Sequence, residues 1–223
     1  MSLTSTKAAL GLGTVGVVGT GSYFAISGSS KQDNVPIKTK LSEQLIKEGF
    51  VLLNFESSST HSQEWTTVLG KYKTSNKDKF SGVTLLENGQ DHESKNIGAL
   101  KEACKSLIEK TEFSESYDKA RRWCVVPKGV KDILLGLKKQ VLKHEANEDV
   151  DLWKRKVAVY DHKDLPLAGI TWPVSGEPEK ISKLKEGCKA LMEKDVKTYD
   201  EDFSADFKIA KRWCIGEYVA LRR

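Results

Sequence analysis

Four features of this 223-residue chain have the residue types for chemistry: cysteines, histidines, paired Arg-Trp dipeptides and a glycine-rich run. The cysteines are Cys104, Cys124, Cys188 and Cys214. Cys104 and Cys188 each close a Leu-Lys-Glu-x-Cys run that starts at Leu100 or Leu184, and Cys124 and Cys214 each follow an Arg-Trp dipeptide. This matched placement favours pairing Cys104 with Cys124 and Cys188 with Cys214, one of the three connectivities that four cysteines allow. Closing loops of that size adds about 3 kcal/mol each in the chain-entropy model. In a reducing compartment the same residues would be small buried hydrophobes. No pair has CxxC spacing, and His61, His92, His144 and His162 recur at no matching positions, so no metal site is expected.

Gly11, Gly13 and Gly16 match the GxGxxG pattern. That pattern cradles a dinucleotide only when a buried strand precedes it and a helix follows, and here ten mostly small or polar residues precede it. No cofactor is expected. GxSxG, HExxH and Walker patterns are absent, and the polar cluster Asp161, His162, Lys163 and Asp164 reads as a solvated turn. Arg121, Arg122, Lys211 and Arg212 have the charge to hold an anion, but bases in a last helical turn are already explained by the helix dipole. No catalytic residue is assigned.

The elements that position these residues come in two copies. Residues 100–110 align with 184–194 at an offset of 84, with most positions identical. Residues 117–124 align with 207–214 at an offset of 90, and Trp65 and Tyr72 recur as Trp153 and Tyr160 at an offset of 88. Three anchors in one order, at offsets that differ by loop-sized steps, mark an internal repeat. The units are placed at 41–127 and 128–217, after a linker at 31–40 and before a tail at 218–223.

Periodicity puts the anchors on helices, which makes the soluble part mainly α with minor β at most. Trp65, Val68, Leu69 and Tyr72 lie at i, i+3, i+4 and i+7, and Trp153, Val157 and Tyr160 keep the same face. Leu100, Cys104, Leu107 and Ile108 repeat the pattern, as do Leu184, Cys188, Leu191 and Met192. Shorter helices are expected to end at Trp123 and Trp213. Each unit opens with another helix: one over 41–48 that stops at Gly49, and a longer one over 130–143 with no such stop. Trp65, Tyr72, Trp123, Trp153, Tyr160 and Trp213 are expected to be core anchors, because large aromatics at equivalent places pack helix on helix. The connectors at 76–96 and 161–180 read as the most divergent and accessible segments. Residues 80–86 before Asn88-Gly89 suggest a short strand and turn, and Pro166 and Pro173 keep 165–173 extended. Binding specificity is expected on such loops.

The N-terminus bears on location. Residues 8–30 carry no charge and are about long enough to span a bilayer core. They read as one transmembrane helix, a signal anchor, in preference to a cleaved signal peptide. Gly13, Gly16 and Gly19 give that helix a smooth face. Lys7 precedes the segment and Lys31, Lys38 and Lys40 follow it, so the positive-inside rule mildly opposes an outward domain. The cysteines favour an oxidising, outward location. Residues 31–223 carry 35 basic and 31 acidic side chains, interspersed along the chain, and no nucleic-acid partner is expected.

A short N-terminal hydrophobic segment, then W-x6-Y, LKExCxxL and RWCVVP units, resembles the large paralogous families of membrane-anchored proteins of hemotropic mycoplasmas. The resemblance covers nearly the whole chain and implies a single membrane, surface variation and host contact. It carries over no catalytic residue. The second unit departs from the pattern at Cys214-Ile215-Gly216, where the Val-Val-Pro that follows Cys124 is lost. The expectation is a single-pass surface protein with an extracellular C-terminal domain, acting as an antigen or as an interaction module for a host or cell-surface protein. Two alternatives stand beside it: an exported or anchored hydrolase-like enzyme with a site between the units, and an inward-facing membrane-tethered scaffold with free thiols.

Overall fold

A computed structural model describes residues 39–161, 163–172 and 175–216. The segment at 8–30 with its GxGxxG run, most of the linker, His162 and the tail after 216 lie outside the described residues. Among the described residues eight helices follow one another in order: α1 (Leu41–Lys47), α2 (Ser62–Thr74), α3 (His92–Ile108), α4 (Tyr117–Trp123), α5 (Val130–Gly136), α6 (Val150–Val159), α7 (Glu177–Glu193) and α8 (Phe203–Trp213). Among the described residues no sheet forms. Three isolated antiparallel bridges join Leu52 to Val125, Gly129 to Lys197 and Val141 to Ile215. No described helix is long and apolar enough to cross a membrane.

The apolar spacing in α2 becomes a buried stripe of Trp65, Val68, Leu69 and Tyr72, and α3 buries Leu100, Cys104, Leu107 and Ile108. The same α2–α3–α4 arrangement of contacts occurs for α6, α7 and α8. Tyr72 meets Trp123 edge-on at 5.0 Å, and Tyr160 meets Trp213 edge-on at 4.8 Å. Edge-to-face pairs of this kind contribute about 0.5–1.5 kcal/mol beyond their area burial. Leu53 donates its amide to Cys124 O at 3.0 Å, and Leu142 donates to Cys214 O at 2.9 Å.

The opening helix of the second half is shorter than the periodicity predicts. It stops at Gly136 and does not run to residue 143. The stop is a Schellman closure in which Lys138 N–H meets Leu135 O at 2.9 Å and Lys139 N–H meets Leu134 O at 3.1 Å. The first half makes the same closure from Gly49 to Ile46 O and from Phe50 to Leu45 O. In the second half Lys138, at φ 55°, takes the left-handed place that Gly49 holds at φ 90°. A lysine there gives no stop signal in the sequence. The expected strand at 80–86 also does not form, and the segment is irregular backbone.

The two halves share one core within the unit Lys38–Arg223. Phe50 lies 6.1 Å from Phe203 and 5.6 Å from Phe207. Arg121, 2 % exposed, donates to Thr198 O and lies 5.2 Å over the Phe203 ring. A Cβ on Gly49 would sit 2.5 Å from Leu137 Cγ, so this position requires a missing side chain as well as a left-handed backbone.

Candidate functional site

The two predicted cysteine pairs are the disulfides Cys104–Cys124 and Cys188–Cys214, with Cα separations of 5.4 and 5.5 Å. Each ties a long helix, α3 or α7, to the end of a short one, α4 or α8. All six aromatic anchors are buried, and their polar atoms fasten loops. Trp65 Nε1 donates to Asn54 O and Trp153 Nε1 to Lys143 O, at 2.8 and 2.9 Å. Trp123 Nε1 donates to Asp78 O and Trp213 Nε1 to Leu165 O, both at 2.8 Å. Tyr72 Oη accepts the amide of Phe80 at 2.8 Å, and Tyr160 Oη that of Leu167 at 3.1 Å. Burial pushes both phenols up from their ordinary values.

The basic residues beside the cysteines lie in the last turns of α4 and α8, and Arg121 and Arg122 are buried as well. Burial lowers the affinity of Arg121 for its proton, and Asp118 opposes that shift. Arg122 lies 5.8 Å over Trp123 and 3.3 Å from Asp78, while Arg212 lies 5.1 Å over Trp213 and 3.6 Å from Asp164. These guanidiniums brace the turn before each connector. Asp161 also organises its turn, accepting the amide of Lys163 at 2.8 Å.

Two lysines escaped the sequence reading although the alignment of 100–110 with 184–194 puts them opposite each other. Lys101 Nζ donates to Glu56 O at 2.6 Å. Lys185 is buried and donates to Glu145 O, to Ala146 O at 3.2 Å and to Glu148 O at 3.2 Å. Both are ammonium clamps on the loop ahead of the tryptophan helix. The histidines do have counterparts, but of another residue type. His61 Nδ1 accepts the Asn54 amide at 3.0 Å, and Asp149 Oδ2 accepts the Lys143 amide at 2.8 Å. Both residues are left-handed, at φ 61° and 51°. Phe55 packs 6.1 Å from Trp65, and His144 packs 6.2 Å from Trp153.

The connectors are less divergent than the sequence suggested. Phe80 and Leu167 are the two amides held by tyrosine, and the next residues match at an offset of 87: Gly82 with Gly169, Val83 with Ile170, Thr84 with Thr171 and Leu85 with Trp172. Both glycines are left-handed, at φ 88° and 77°. Phe80 and Leu167 are buried, so neither segment is accessible throughout.

What differs is the space beneath them. In the first half a groove of about 470 Å³ lies between residues 80–83, α3 and the start of α4, lined among others by Ala103, Ser106, Lys110, Ser116 and Lys119. In the second half the connector sits tightly on α7, and a Cβ on Gly187 would lie 3.1 Å from Leu167 Cβ and 3.3 Å from Ile170 Cγ2. Beside it Lys194 Nζ pairs with Asp206 Oδ2 at 2.9 Å. That contact raises the Lys194 pKa, with Asp202 adding to the effect.

A groove also opens between the halves. Its volume is about 420 Å³, and it is lined by Lys47, Glu48, Leu134, Leu137, Lys139, Lys211 and Ile215. Its one carboxylate, Glu48, accepts from Tyr117 Oη at 2.8 Å and Gln44 Nε2 at 2.6 Å. Burial and Glu48 together push the Tyr117 phenol far above its usual range. No three His, Cys, Asp or Glu among the described residues group as metal ligands.

No family model, curated protein or solved structure matches the chain.

Proposed function

We propose that the chain is a tandem duplication of one disulfide-locked helical unit, exported on its N-terminal segment and held at the cell membrane. Its soluble part is read as an outward-facing antigen or interaction module that recognises a host or cell-surface protein. The observation that carries this reading is the paired use of polar groups. Each half commits its tryptophan N–H groups, tyrosine hydroxyl, clamp lysine and an arginine beside the tryptophan to fixing loops around one disulfide. A scaffold in which equivalent polar groups are spent on holding loops is suited to presenting those loops. Disulfides at equivalent positions suit an oxidising compartment, which supports export over the inward-facing scaffold. The resemblance to the membrane-anchored families of hemotropic mycoplasmas belongs to the same reading.

Alkylation of intact cells with a membrane-impermeant thiol reagent, before and after reduction, tests it. Peptides containing the four cysteines are expected to be labelled without lysis and only after reduction. Labelling that needs lysis but no reductant would place the domain inside and overturn the reading.

A further inference from the structure

We propose that the groove of the first half is the recognition site and that it takes an acidic side chain, flanked by aliphatic residues, from a protein partner. This rests on the interaction-module reading and names the chemistry of what is bound.

The second half supplies the template. There Lys194, at the end of α7, faces Asp206 on α8 at 2.9 Å, and the carboxylate is buried. The residues equivalent to Lys194, Asp206 and Ile209 in the first half are Lys110, Ser116 and Lys119. A lysine is therefore kept, its carboxylate is replaced by a hydroxyl, and an aliphatic side chain is replaced by a second lysine. Lys110, Ser116 and Lys119 all line the groove of about 470 Å³. No carboxylate among the described residues pairs with Lys110 or Lys119, and Lys119 Nζ lies 5.9 Å over the Phe80 ring. Glu102 is the one acid on the lining, which leaves the groove with a net positive charge.

The same groove has an apolar floor of Phe80, Val83, Ala103 and Leu107. A bare phosphate or a lipid headgroup would use the two lysines and leave that floor wet. A carboxylate borne on a polypeptide with aliphatic neighbours uses both. Charge-assisted hydrogen bonds from lysine to carboxylate are about twice as strong as neutral ones, so the acid sets affinity and the floor sets which neighbours fit.

The test is an amide chemical-shift titration of the ¹⁵N-labelled full chain with two probes, acetyl-Val-Asp-Leu-amide and its asparagine counterpart acetyl-Val-Asn-Leu-amide. The Asp peptide is expected to shift Ala103, Ser106, Ser116 and Lys119, with binding about tenfold weaker for the Asn peptide. Lys110→Gln, at an exposed position, should weaken the Asp peptide by a similar factor. Ser116→Asp should do the same by supplying the carboxylate in cis, and aspartate is an acceptable residue at that helix start. Equal shifts by both peptides, no shift at the groove at millimolar peptide, or shifts produced only by phosphatidylserine vesicles would overturn the proposal. Such a failure would leave the surface-module reading intact, since that reading stands or falls on labelling of intact cells.

Discussion

The first and second halves of this protein place the same bonds around different residues. At the helix stop one uses Gly49 and the other Lys138. At the acceptor for the loop amide one uses His61 and the other Asp149. Against the tryptophan one packs Phe55 and the other His144. Beneath the connector one leaves an open groove, and the other carries a close-packed connector beside an internal ion pair. What persists is the geometry of each contact, and residue type is free wherever several types can make it. The tryptophans, tyrosines and disulfide cysteines are the same in both halves: each ring fills core volume and tethers a loop, and each cysteine is one end of a bridge.

The comparison can be broken most strongly at the tryptophans. Trp123→Ala and Trp213→Ala should each cost about 3–5 kcal/mol in urea denaturation, since each removes a fully buried ring and a loop tether. Similar costs would show the halves to be equally dependent on the anchor. Replacing either cysteine pair by alanine should cost about 3 kcal/mol, with the 26-residue separation costing no less than the 20-residue one.

Smaller substitutions sharpen the difference at the groove. Gly187→Ala adds a Cβ against Leu167 and Ile170, and should cost about 1–3 kcal/mol by overpacking. The reverse change at the equivalent place, Ala103→Gly, should cost about 0.5–1 kcal/mol through helix propensity alone. At the helix stop Lys138→Gly should stabilise the chain by up to about 1 kcal/mol, because glycine holds the left-handed conformation without strain.

The smallest effect is a pH dependence at His144 in the second half. Burial depresses the His144 pKa below its ordinary value of 6.5, opposed by Glu145 and Glu193, and its Nε2 is buried without a hydrogen-bond partner. The unfolded chain therefore takes up the proton first, and stability falls as pH drops through and below 6.5. His144→Phe, which copies Phe55, should flatten that part of the stability profile in denaturation series between pH 5 and pH 8.

Helix type and the anchors were legible in the sequence because large aromatics and cysteines keep their spacing, and the matched placement of the cysteines favoured their pairing without choosing among the three connectivities. The stop at Lys138 was not, since lysine carries no turn signal. The roles of His61 and Asp149 were hidden because their side chains differ while their acceptor atoms do the same work. Lys101 and Lys185 align at an offset of 84, but sequence does not show that their ammonium groups turn onto loop carbonyls. The match between the connectors lay in Gly82 with Gly169 and Thr84 with Thr171, and the prolines at 166 and 173 drew attention from it. The groove depends on which side of α3 and α4 faces the connector, which spacing alone does not give.

Non-reducing peptide mapping of the protein taken from cells tests the central claim most directly, since the two halves share one core but each carries its own bridge. It predicts two linked peptide pairs, Cys104 with Cys124 and Cys188 with Cys214, and none joining the halves. Free thiols at these positions, or any bridge between the two halves, would contradict it.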